Sequence, residues 1–347
     1  MNLERCLDEL CGGPRTPSID PATIPCIEMS DPERLCKNPL VSVRIVTYNH
    51  EPYIQECLES VISQKTDFAY EVVIGEDCSQ DKTREICFKF QKQYPDRVRV
   101  LWSDENQYKM SGNQLRTLHR CRGQYVAFME GDDFWTDDHK LQKQIDAMRE
   151  KDAIGCFADY RRMSLGGVIQ NNGFRPYLTV SEVSREDLYH GYPHTATYVF
   201  RRDALEQCAS RFPMIRRWYD VVLTFCMLSM GTVVTIPDAV SIYRLTGQGI
   251  ATSLSAQSKF LLWTRQYLDL YLHGPKVARL RFGAYVVTGI AFFFKRDENR
   301  WSIKLAKKYS GVLVPVLWNI FMHQFWHPRT IRALLRYIWY RYFLWFY

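Results

Sequence analysis

Short apolar segments alternate with amphipathic segments in the first half of this chain, and this alternation constrains the fold more than any other feature. Residues 41–46, 71–75, 97–101 and 125–129 are apolar runs of strand length, and a helical pattern over residues 52–64 separates the first two. Strands that alternate with helices are joined by right-handed crossovers and form a mostly parallel sheet. The sequence therefore predicts an α/β fold.

Polar loops follow three of the four predicted strands. They cover residues 47–50, 76–81 and 130–135. Parallel strands end at the same edge of a sheet, and the ligands of open α/β sheets bind at that edge. We therefore expect the three loops to meet in one site.

The third loop places two neighbouring carboxylates, Asp132 and Asp133, at the end of a predicted buried strand. Carboxylates this close repel each other unless a cation lies between them. Oxygen ligands of this kind suit Mg²⁺ or Mn²⁺ carrying a substrate phosphate. The alternative is that the acids only begin the following helix, with Asp137 or Asp138 as its cap.

Composition indicates a globular protein with a large core. The chain has 347 residues, of which 46% are hydrophobic and 24% are charged. Its 11 cysteines include no CxxC pair, and no apolar leader follows the initial Met-Asn-Leu-Glu-Arg. We expect a cytoplasmic protein with reduced thiols, in which cysteine holds no metal.

The net charge of +7 comes from the C-terminal region. Residues 301–347 contain seven Lys or Arg, no Asp or Glu, and many aromatic residues. The apolar stretches at 282–294 and 311–326 are too short or too interrupted to span a bilayer. The helix predicted over residues 328–347 carries basic residues beside Trp and Tyr, which suits peripheral attachment to the inner face of the cell membrane. A face for core packing or homo-oligomer formation is the alternative.

Three motifs resemble those of a known family. Residues 43–49 read Val-Arg-Ile-Val-Thr-Tyr-Asn, residues 76–83 read Glu-Asp-Cys-Ser-Gln-Asp-Lys-Thr, and residues 131–135 read Gly-Asp-Asp-Phe-Trp, with Lys-Leu-Gln-Lys-Gln at 140–144. In this order the motifs resemble the family 2 inverting glycosyltransferases, in particular bacterial members that build surface polysaccharide and lipopolysaccharide. The resemblance implies the GT-A nucleotide-diphospho-sugar transferase fold with a C-terminal helical extension.

The resemblance covers roughly residues 39–250 and implies a domain organisation. We expect an N-terminal extension at 1–38, a nucleotide-binding half at 39–135, an acceptor half at 136–250, and a basic aromatic helical region at 251–347. The implied function is transfer of a sugar, with inversion, from a nucleotide diphosphate sugar to a hydroxyl of a growing surface glycan or lipid-linked oligosaccharide.

The resemblance gives donor-binding roles to the first two loops. Tyr48 matches the aromatic residue that stacks on the nucleotide base, and Asp77 matches the carboxylate that accepts a hydrogen bond from the ring N–H of the base, which favours a UDP-sugar. An ordinary loop tyrosine and a turn cap are the alternatives. The same loops supply four further candidates for donor binding: Thr47, Asn49, Glu76 and Ser79.

The resemblance also divides the work of the acidic pair. Asp132 matches the acid that holds ribose or sugar hydroxyls, and Asp133 matches the acid that binds Mg²⁺ or Mn²⁺. The metal bridges the donor diphosphate and assists departure of the leaving group as a Lewis acid. Glu130 stands where many relatives carry Asp. Arg244 is a candidate for contacting the diphosphate or for a structural ion pair.

Inverting transfer needs a base that accepts the proton of the attacking hydroxyl. Asp220 is the best candidate, because it resembles the family's acidic residue at the start of the acceptor-side helix; the alternative is a helix N-cap. The family usually shows two acids where this chain has Tyr219 and Asp220. Asp159 and Asp238 are weaker candidates, and His194 is interpreted as a structural histidine.

Two other functional classes stay open. A nucleotidyltransferase would need a Gly-rich phosphate loop after the first strand, and the sequence has none there. A non-catalytic nucleotide-sugar-binding protein would be expected to lose the acidic pair, which is intact. Nucleic acid is not an expected partner, because no RNA-binding motif accompanies the basic tail.

Overall fold

The computed structural model describes most of the chain up to residue 247. The described residues are 20–107, 112–170, 182–183, 193–212, 220–247 and a few positions between 266 and 275. The chain divides into two compact units: Thr16–Pro213 with Leu223–Ser253, and Met1–Arg15 with Met214–Val222 and Leu254–Tyr347. All of the described strands belong to the first of these units.

Four parallel strands form the first half of the sheet. In spatial order they are β4 (Val98–Trp102), β3 (Tyr70–Glu76), β2 (Val41–Thr47) and β5 (Tyr125–Glu130). Almost every residue of these strands is buried, as is typical of parallel strands. They are the four predicted strands, and each observed end differs from its prediction by no more than one residue.

The second half of the sheet continues beyond β5. The short strand β9 (Val199–Arg201) lies antiparallel between β5 and β7 (Gly155–Met163), and β10 (Val233–Arg244) lies parallel to β7. The edge strand β6 (Phe134–Trp135) and the hairpin strand β8 (Ile169–Gln170) pair antiparallel with β10 and β7, respectively. Because β9 is antiparallel to both neighbours, β7 and β10 end at the same edge of the sheet as β2, β3 and β5.

The opposite border of the sheet is a strand that the sequence did not predict. β1 (Ile27–Met29) pairs antiparallel with β4 and comes from the segment predicted as an N-terminal extension. Three residues among Pro, Cys and acids are too few to show a strand periodicity. The sheet therefore begins before residue 39.

Six helices of the described chain accompany the sheet: α1 (Ile54–Ile62), α2 (Thr83–Gln93), α3 (Gly112–His119), α4 (Lys140–Glu150), α5 (Arg202–Arg211) and α6 (Asp220–Leu228). Helix α1 has the predicted apolar face, because Ile54, Cys57, Leu58 and Val61 are buried in the main core. Burial of one such aliphatic side chain contributes about 1.5–3 kcal/mol before the entropy of ordering is subtracted.

The position of helix α4 tests the alternative interpretation of the acidic pair. It begins at Lys140, and residues Phe134–Trp135 form strand β6 instead of a first helical turn. The alternative that Asp132 and Asp133 begin this helix is therefore wrong.

Among the described residues, no helix is both long enough and apolar enough to cross a bilayer. The apolar stretches at 282–294 and 311–326, and the predicted membrane-surface helix at 328–347, lie outside the described residues.

Candidate active site

The three predicted loops meet at the carboxyl edge of the sheet. The backbone carbonyl of Thr47, the last residue of β2, accepts the Asp77 N–H at 3.1 Å. The carbonyl of Val46 accepts the Gly131 N–H at 2.9 Å. Both neighbouring loops are therefore attached to the end of one central strand, which confirms the predicted convergence.

Side chains of the first two loops brace each other. The Asn49 N–H donates to Ser79 Oγ at 3.0 Å, and Asn49 Oδ1 accepts the Gln80 N–H at 2.8 Å. Asn49 has a φ of 53°, a left-handed conformation that asparagine tolerates better than most residues. The His50 N–H donates to Thr83 Oγ1 at 2.8 Å. Asn49 and Ser79 thus build the loops from which a donor would be bound.

Glu76 is fully buried beneath the second loop. Its Oε1 accepts the Ser79 N–H at 2.6 Å, and its Oε2 accepts the Arg84 Nε–H at 2.5 Å. Thr47 is also buried, and its Oγ1 lies 3.2 Å from His50 Nδ1. These contacts are internal to the protein, and donor contacts by Glu76 and Thr47 stay predictions.

Tyr48 and Asp77 differ in exposure. The Tyr48 side chain is 43% exposed, so its ring is accessible to a flat ligand. Asp77 is buried, and its Oδ1 accepts the Gln107 N–H at 2.8 Å. Burial raises the pKa of Asp77, while the Gln107 N–H and the Arg116 guanidinium, 3.9 Å away, act in the opposite direction. A carboxylate has about four acceptor sites, so Asp77 keeps room for a base N–H.

The acidic pair lies in a tight turn between β5 and β6. The Asp133 N–H donates to the carbonyl of Glu130 at 3.1 Å. A Cβ atom at Gly131 would lie 2.6 Å from Thr47 Oγ1, so only glycine allows the turn to pack this closely on β2. The Glu130 carboxylate lies 3.6 Å from the Arg44 guanidinium. Glu130 therefore has a basic partner within the protein.

Asp133 is almost completely buried, and its two carboxylate oxygens have different partners. Oδ1 accepts the Arg244 backbone N–H at 2.9 Å, and Oδ2 lies 3.5 Å from His194 Nε2. Burial, and next the charge of Asp132, raise the pKa of Asp133 well above its usual range. Asp132 Oδ2 lies 4.0 Å from His50 Nε2. The charge of the Arg244 guanidinium acts on the pKa of Asp133 in the opposite direction, but burial and Asp132 outweigh it.

His194, which the sequence analysis interpreted as a structural histidine, lies beside Asp133. Its Nδ1 accepts the Ala196 N–H at 3.4 Å, and its ring stacks on Tyr243 with centroids 4.3 Å apart. Burial, with a smaller contribution from Arg162, lowers the pKa of His194 to about 3. The imidazole is therefore neutral, and its proton is on Nε2, which faces Asp133. No sequence spacing links residues 133 and 194; only the strand order brings them together.

Arg244 braces the acidic turn. Its Nη1 donates to the carbonyl of Asp132 at 2.9 Å, and its guanidinium forms an ion pair with Glu56 on α1 and lies 4.4 Å from the Phe134 ring centroid. The structural ion pair is thus present. Glu56 is 57% exposed, so an incoming phosphate could compete with it for Arg244.

Asp220 is the first residue of α6, and its Oδ1 accepts the Val221 N–H at 2.8 Å. It belongs to the second compact unit, and its role as a base stays a prediction. Of the weaker candidates, Asp238 pairs with Lys143 at 3.1 Å, and Asp159 Oδ1 accepts the Tyr160 N–H at 2.7 Å.

Residues 42–209 match the family model described as glycosyl transferase family 2. The chain therefore carries a glycosyl transferase family 2 domain. An uncharacterized protein of Mycobacterium tuberculosis is 30% identical over 212 residues, which cover 60% of each chain, so the chain spans about 60% of the length of that relative. TuaG of Bacillus subtilis, whose name assigns it to teichuronic acid biosynthesis, is 29% identical over 62% of this chain and 82% of TuaG. The dTDP-rhamnosyl transferase RfbG of Shigella flexneri is 34% identical over 30% of this chain and 36% of RfbG.

Solved structures show the same fold. S. aureus TarS 1–349 in complex with UDP superposes with a TM-score of 0.55 at 20% identity, over 85% of this chain and 82% of TarS 1–349. The complex of the same protein with UDP-GlcNAc gives a TM-score of 0.54 over 81% of this chain and 79% of the other. The predicted GT-A fold of the family 2 domain is therefore confirmed.

Proposed function

We propose that this chain is an inverting glycosyltransferase that moves a sugar from a nucleotide diphosphate sugar to a hydroxyl of a growing surface glycan or lipid-linked oligosaccharide. The observation that carries the proposal is the turn of Asp132 and Asp133, attached by hydrogen bonds to the same strand end as the Tyr48 and Asp77 loops. The name of TuaG, which assigns it to teichuronic acid biosynthesis, supports a role in glycan synthesis, and the name of RfbG supports transfer of a sugar from a nucleotide diphosphate.

The donor nucleotide would lie on the first two loops. The exposed ring of Tyr48 would stack on the base, and Asp77 would accept the base ring N–H. Uracil has such an N–H, and TarS was solved with UDP and with UDP-GlcNAc, which supports a UDP-sugar as the first candidate. Thymine has the same group, and the name of RfbG makes a dTDP-sugar the second candidate.

The acidic turn fits Mg²⁺ or Mn²⁺. Asp133 is a buried carboxylate whose pKa is raised because burial and Asp132 both disfavour its charge, and a divalent cation would offset both effects. Asp133 would hold the ion, and the neutral His194 imidazole, whose Nε2 lies 3.5 Å from Asp133 Oδ2, would orient that carboxylate. Asp132 would hold donor hydroxyls. When bound, the ion supplies Lewis-acid assistance to departure of the nucleoside diphosphate.

Asp220 would accept the proton of the acceptor hydroxyl. It stands at the N-terminus of α6, where the helix dipole and the Val221 N–H favour the ionised carboxylate, but desolvation outweighs them and raises the pKa of Asp220. Substitution of Asp220 by Asn should leave UDP binding unchanged and abolish transfer. Normal transfer by this variant would remove Asp220 from the mechanism.

The decisive experiment is a donor screen. UDP-, dTDP-, GDP- and CMP-sugars are tested for binding by calorimetry and for hydrolysis, with and without Mn²⁺. We expect UDP-sugars to bind best and Asp133→Asn to lose the Mn²⁺-dependent part of the affinity. Asp238→Asn, an acid on β10 paired with Lys143, is the matched control. Failure to bind any nucleotide sugar would overturn the proposal, and binding without turnover would favour a non-catalytic binding protein.

We also propose peripheral membrane attachment of a cytoplasmic enzyme through residues 328–347, on the basis of their basic and aromatic composition. Truncation at about residue 327 should release the protein from vesicles that contain anionic lipid. Unchanged co-sedimentation would exclude this attachment, and a change in oligomeric state would favour the homo-oligomer alternative.

A further inference from the structure

Trp135 is attached to the acidic turn and to the sheet beside it. It follows Asp133 by two residues, and its backbone N–H donates to Ser60 Oγ on α1 at 3.1 Å. Its strand, β6, pairs with β10, where Trp135 lies opposite Ser241. Because β10 also supplies the Arg244 N–H that Asp133 accepts, one strand holds both ends of the segment from Asp133 to Trp135.

The indole of Trp135 reaches the turn that carries His194. Its Nε1–H donates to the carbonyl of Ala196 at 2.9 Å, and both residues are buried. The N–H of the same Ala196 donates to His194 Nδ1. The contacts thus form a closed circuit: Asp133 to His194, His194 to Ala196, Ala196 to Trp135, and Trp135 back to Asp133 through the chain.

Lys140 packs against the face of the same indole. Its Nζ lies 4.1 Å from the Trp135 ring centroid, and its side chain is completely buried. Among the described residues, Nζ has no hydrogen-bond partner. A buried ammonium or amine without a hydrogen-bond partner is unfavourable, and contact with the face of the Trp135 ring offsets part of that cost.

We propose that Trp135 is a positioning residue: its indole N–H fixes the Ala196 turn, and thereby holds the His194 imidazole against the Asp133 carboxylate in the tautomer with the proton on Nε2. Lys140 fixes the plane of the indole. The role of Trp135 in metal-dependent donor binding rests on the proposed function, whereas its effect on the position of His194 does not. Packing alone would require a large ring at residue 135, but it would not require the indole N–H.

The first test removes only the indole N–H. Trp135→Phe keeps a ring beneath Lys140 and leaves the Ala196 carbonyl without its donor. We expect Mn²⁺-free UDP affinity within about twofold of wild type, and the Mn²⁺-dependent gain in UDP affinity reduced about tenfold. Trp102→Phe on β4 is the matched control and should change neither quantity. An unchanged Mn²⁺-dependent gain in Trp135→Phe would overturn the proposal.

The second test reads His194 directly and needs no ligand. In protein labelled with ¹⁵N-histidine, and with the His194 signals assigned through His194→Gln, wild type should show one neutral tautomer with the proton on Nε2. Trp135→Phe should show a mixture of tautomers. An unaltered single tautomer in the variant would overturn the proposal for Trp135. This result does not depend on nucleotide binding. Failure of wild type to bind any nucleotide would instead overturn the proposed function.

The third test uses Lys140→Met, which keeps the volume of the stem and removes a buried polar atom. This variant is expected to fold at least as well as wild type. We expect its melting temperature to rise while its Mn²⁺-dependent gain in UDP affinity falls about threefold. A purely structural role would move both quantities in the same direction, and that result would exclude the support of Trp135 by Lys140.

Discussion

Each edge of the sheet contains a buried carboxylate, but the two carboxylates have different hydrogen-bond and charge partners. At the amino edge, Glu71 is fully buried. Its Oε1 accepts hydrogen bonds from the Ser42 hydroxyl at 2.7 Å and from the Arg122 backbone N–H at 2.8 Å. Its Oε2 accepts hydrogen bonds from Arg99 Nη1 at 3.1 Å and from Arg122 Nε at 2.8 Å. At the carboxyl edge, Asp133 accepts one backbone N–H and lies beside a neutral histidine and a second carboxylate. The Arg244 guanidinium offsets only part of this, and the pKa of Asp133 is raised.

The difference separates a buried charge that the protein itself balances from one that it leaves partly unbalanced. A buried acid whose oxygens all accept hydrogen bonds from the protein contributes to stability and has little capacity left for a ligand. A buried acid beside another acid is stable only because the surrounding fold holds it there, and it gains most from an added cation. In this molecule the first kind lies where the parallel strands begin, and the second where they end.

The largest effect on stability is expected at the amino edge. Glu71→Gln leaves Arg122 and part of the Arg99 guanidinium without their buried counter-charge, and should lower the free energy of unfolding by about 3 kcal/mol. Urea denaturation measures this, with the exposed Glu85→Gln as control, which should change it by less than about 0.5 kcal/mol. UDP affinity of the folded variant should be unchanged. Equal stabilities of the two variants would contradict the structural role of Glu71.

Asp133→Asn should have the opposite profile. The amide keeps an oxygen for the Arg244 N–H and removes the buried charge, so the free energy of unfolding at pH 7 should rise by about 1 kcal/mol. The Mn²⁺-dependent gain in UDP affinity should fall about 100-fold. A variant that is less stable than wild type and still binds UDP with Mn²⁺ normally would place Asp133 in the same class as Glu71.

The raised pKa of Asp133 predicts how the stabilities of wild type and Asp133→Asn change with pH. The folded-state pKa of Asp133 is raised above its ordinary value of 3.8, so wild type loses stability as pH rises from about 4 through the folded pKa. The stability advantage of Asp133→Asn should therefore shrink as pH is lowered from 7 towards 4. A constant difference across urea titrations at pH 5, 6 and 7 would contradict the raised pKa.

Lys140 provides a cationic counterpart to Asp133. Burial lowers the pKa of Lys140 from 10.5 to about 7. Between about pH 7 and pH 10.5 the unfolded state therefore binds more protons than the folded state, and the stability of wild type rises with pH. Lys140→Met should be more stable than wild type by about 2 kcal/mol at pH 7, and the difference should narrow by pH 9. Urea midpoints at both pH values measure this, and a difference that widens with pH would contradict it.

The sequence predicted the features that depend on residues close together in the chain. Apolar runs located β2, β3, β4 and β5, and the rule that parallel strands end together placed Tyr48, Asp77 and Asp133 at one edge. The partners of Asp133 were not predictable in this way. His194 and Arg244 contact it only because β9, β7 and β10 extend the sheet beyond β5, an order that no local pattern encodes.

The same limit explains the uncertain assignment of Arg244 and the omission of Trp135. Either role of Arg244 requires a basic residue after an apolar strand, and only the ion pair with Glu56, 188 positions away in sequence, shows which contact is present. The motif contains Trp135, but the acceptor of its indole N–H is a carbonyl 61 residues later. Long-range hydrogen bonds of this kind become visible only in three dimensions.

The smallest effect is expected where the paired charges are exposed. Lys143 contacts Asp137 at 2.7 Å and Asp238 at 3.1 Å, and its side chain is 41% exposed. Water and salt screen such pairs, so Lys143→Ala should lower the free energy of unfolding by no more than about 0.5 kcal/mol, and 0.5 M NaCl should remove most of the difference. A loss of more than about 1.5 kcal/mol, roughly three times the expected value, would mean that exposed ion pairs also hold the fold. A loss within the expected limit would show that a charged pair has little effect on stability when it is exposed. The different stabilities expected for the Glu71 and Asp133 variants would then depend on burial and on the neighbouring residues.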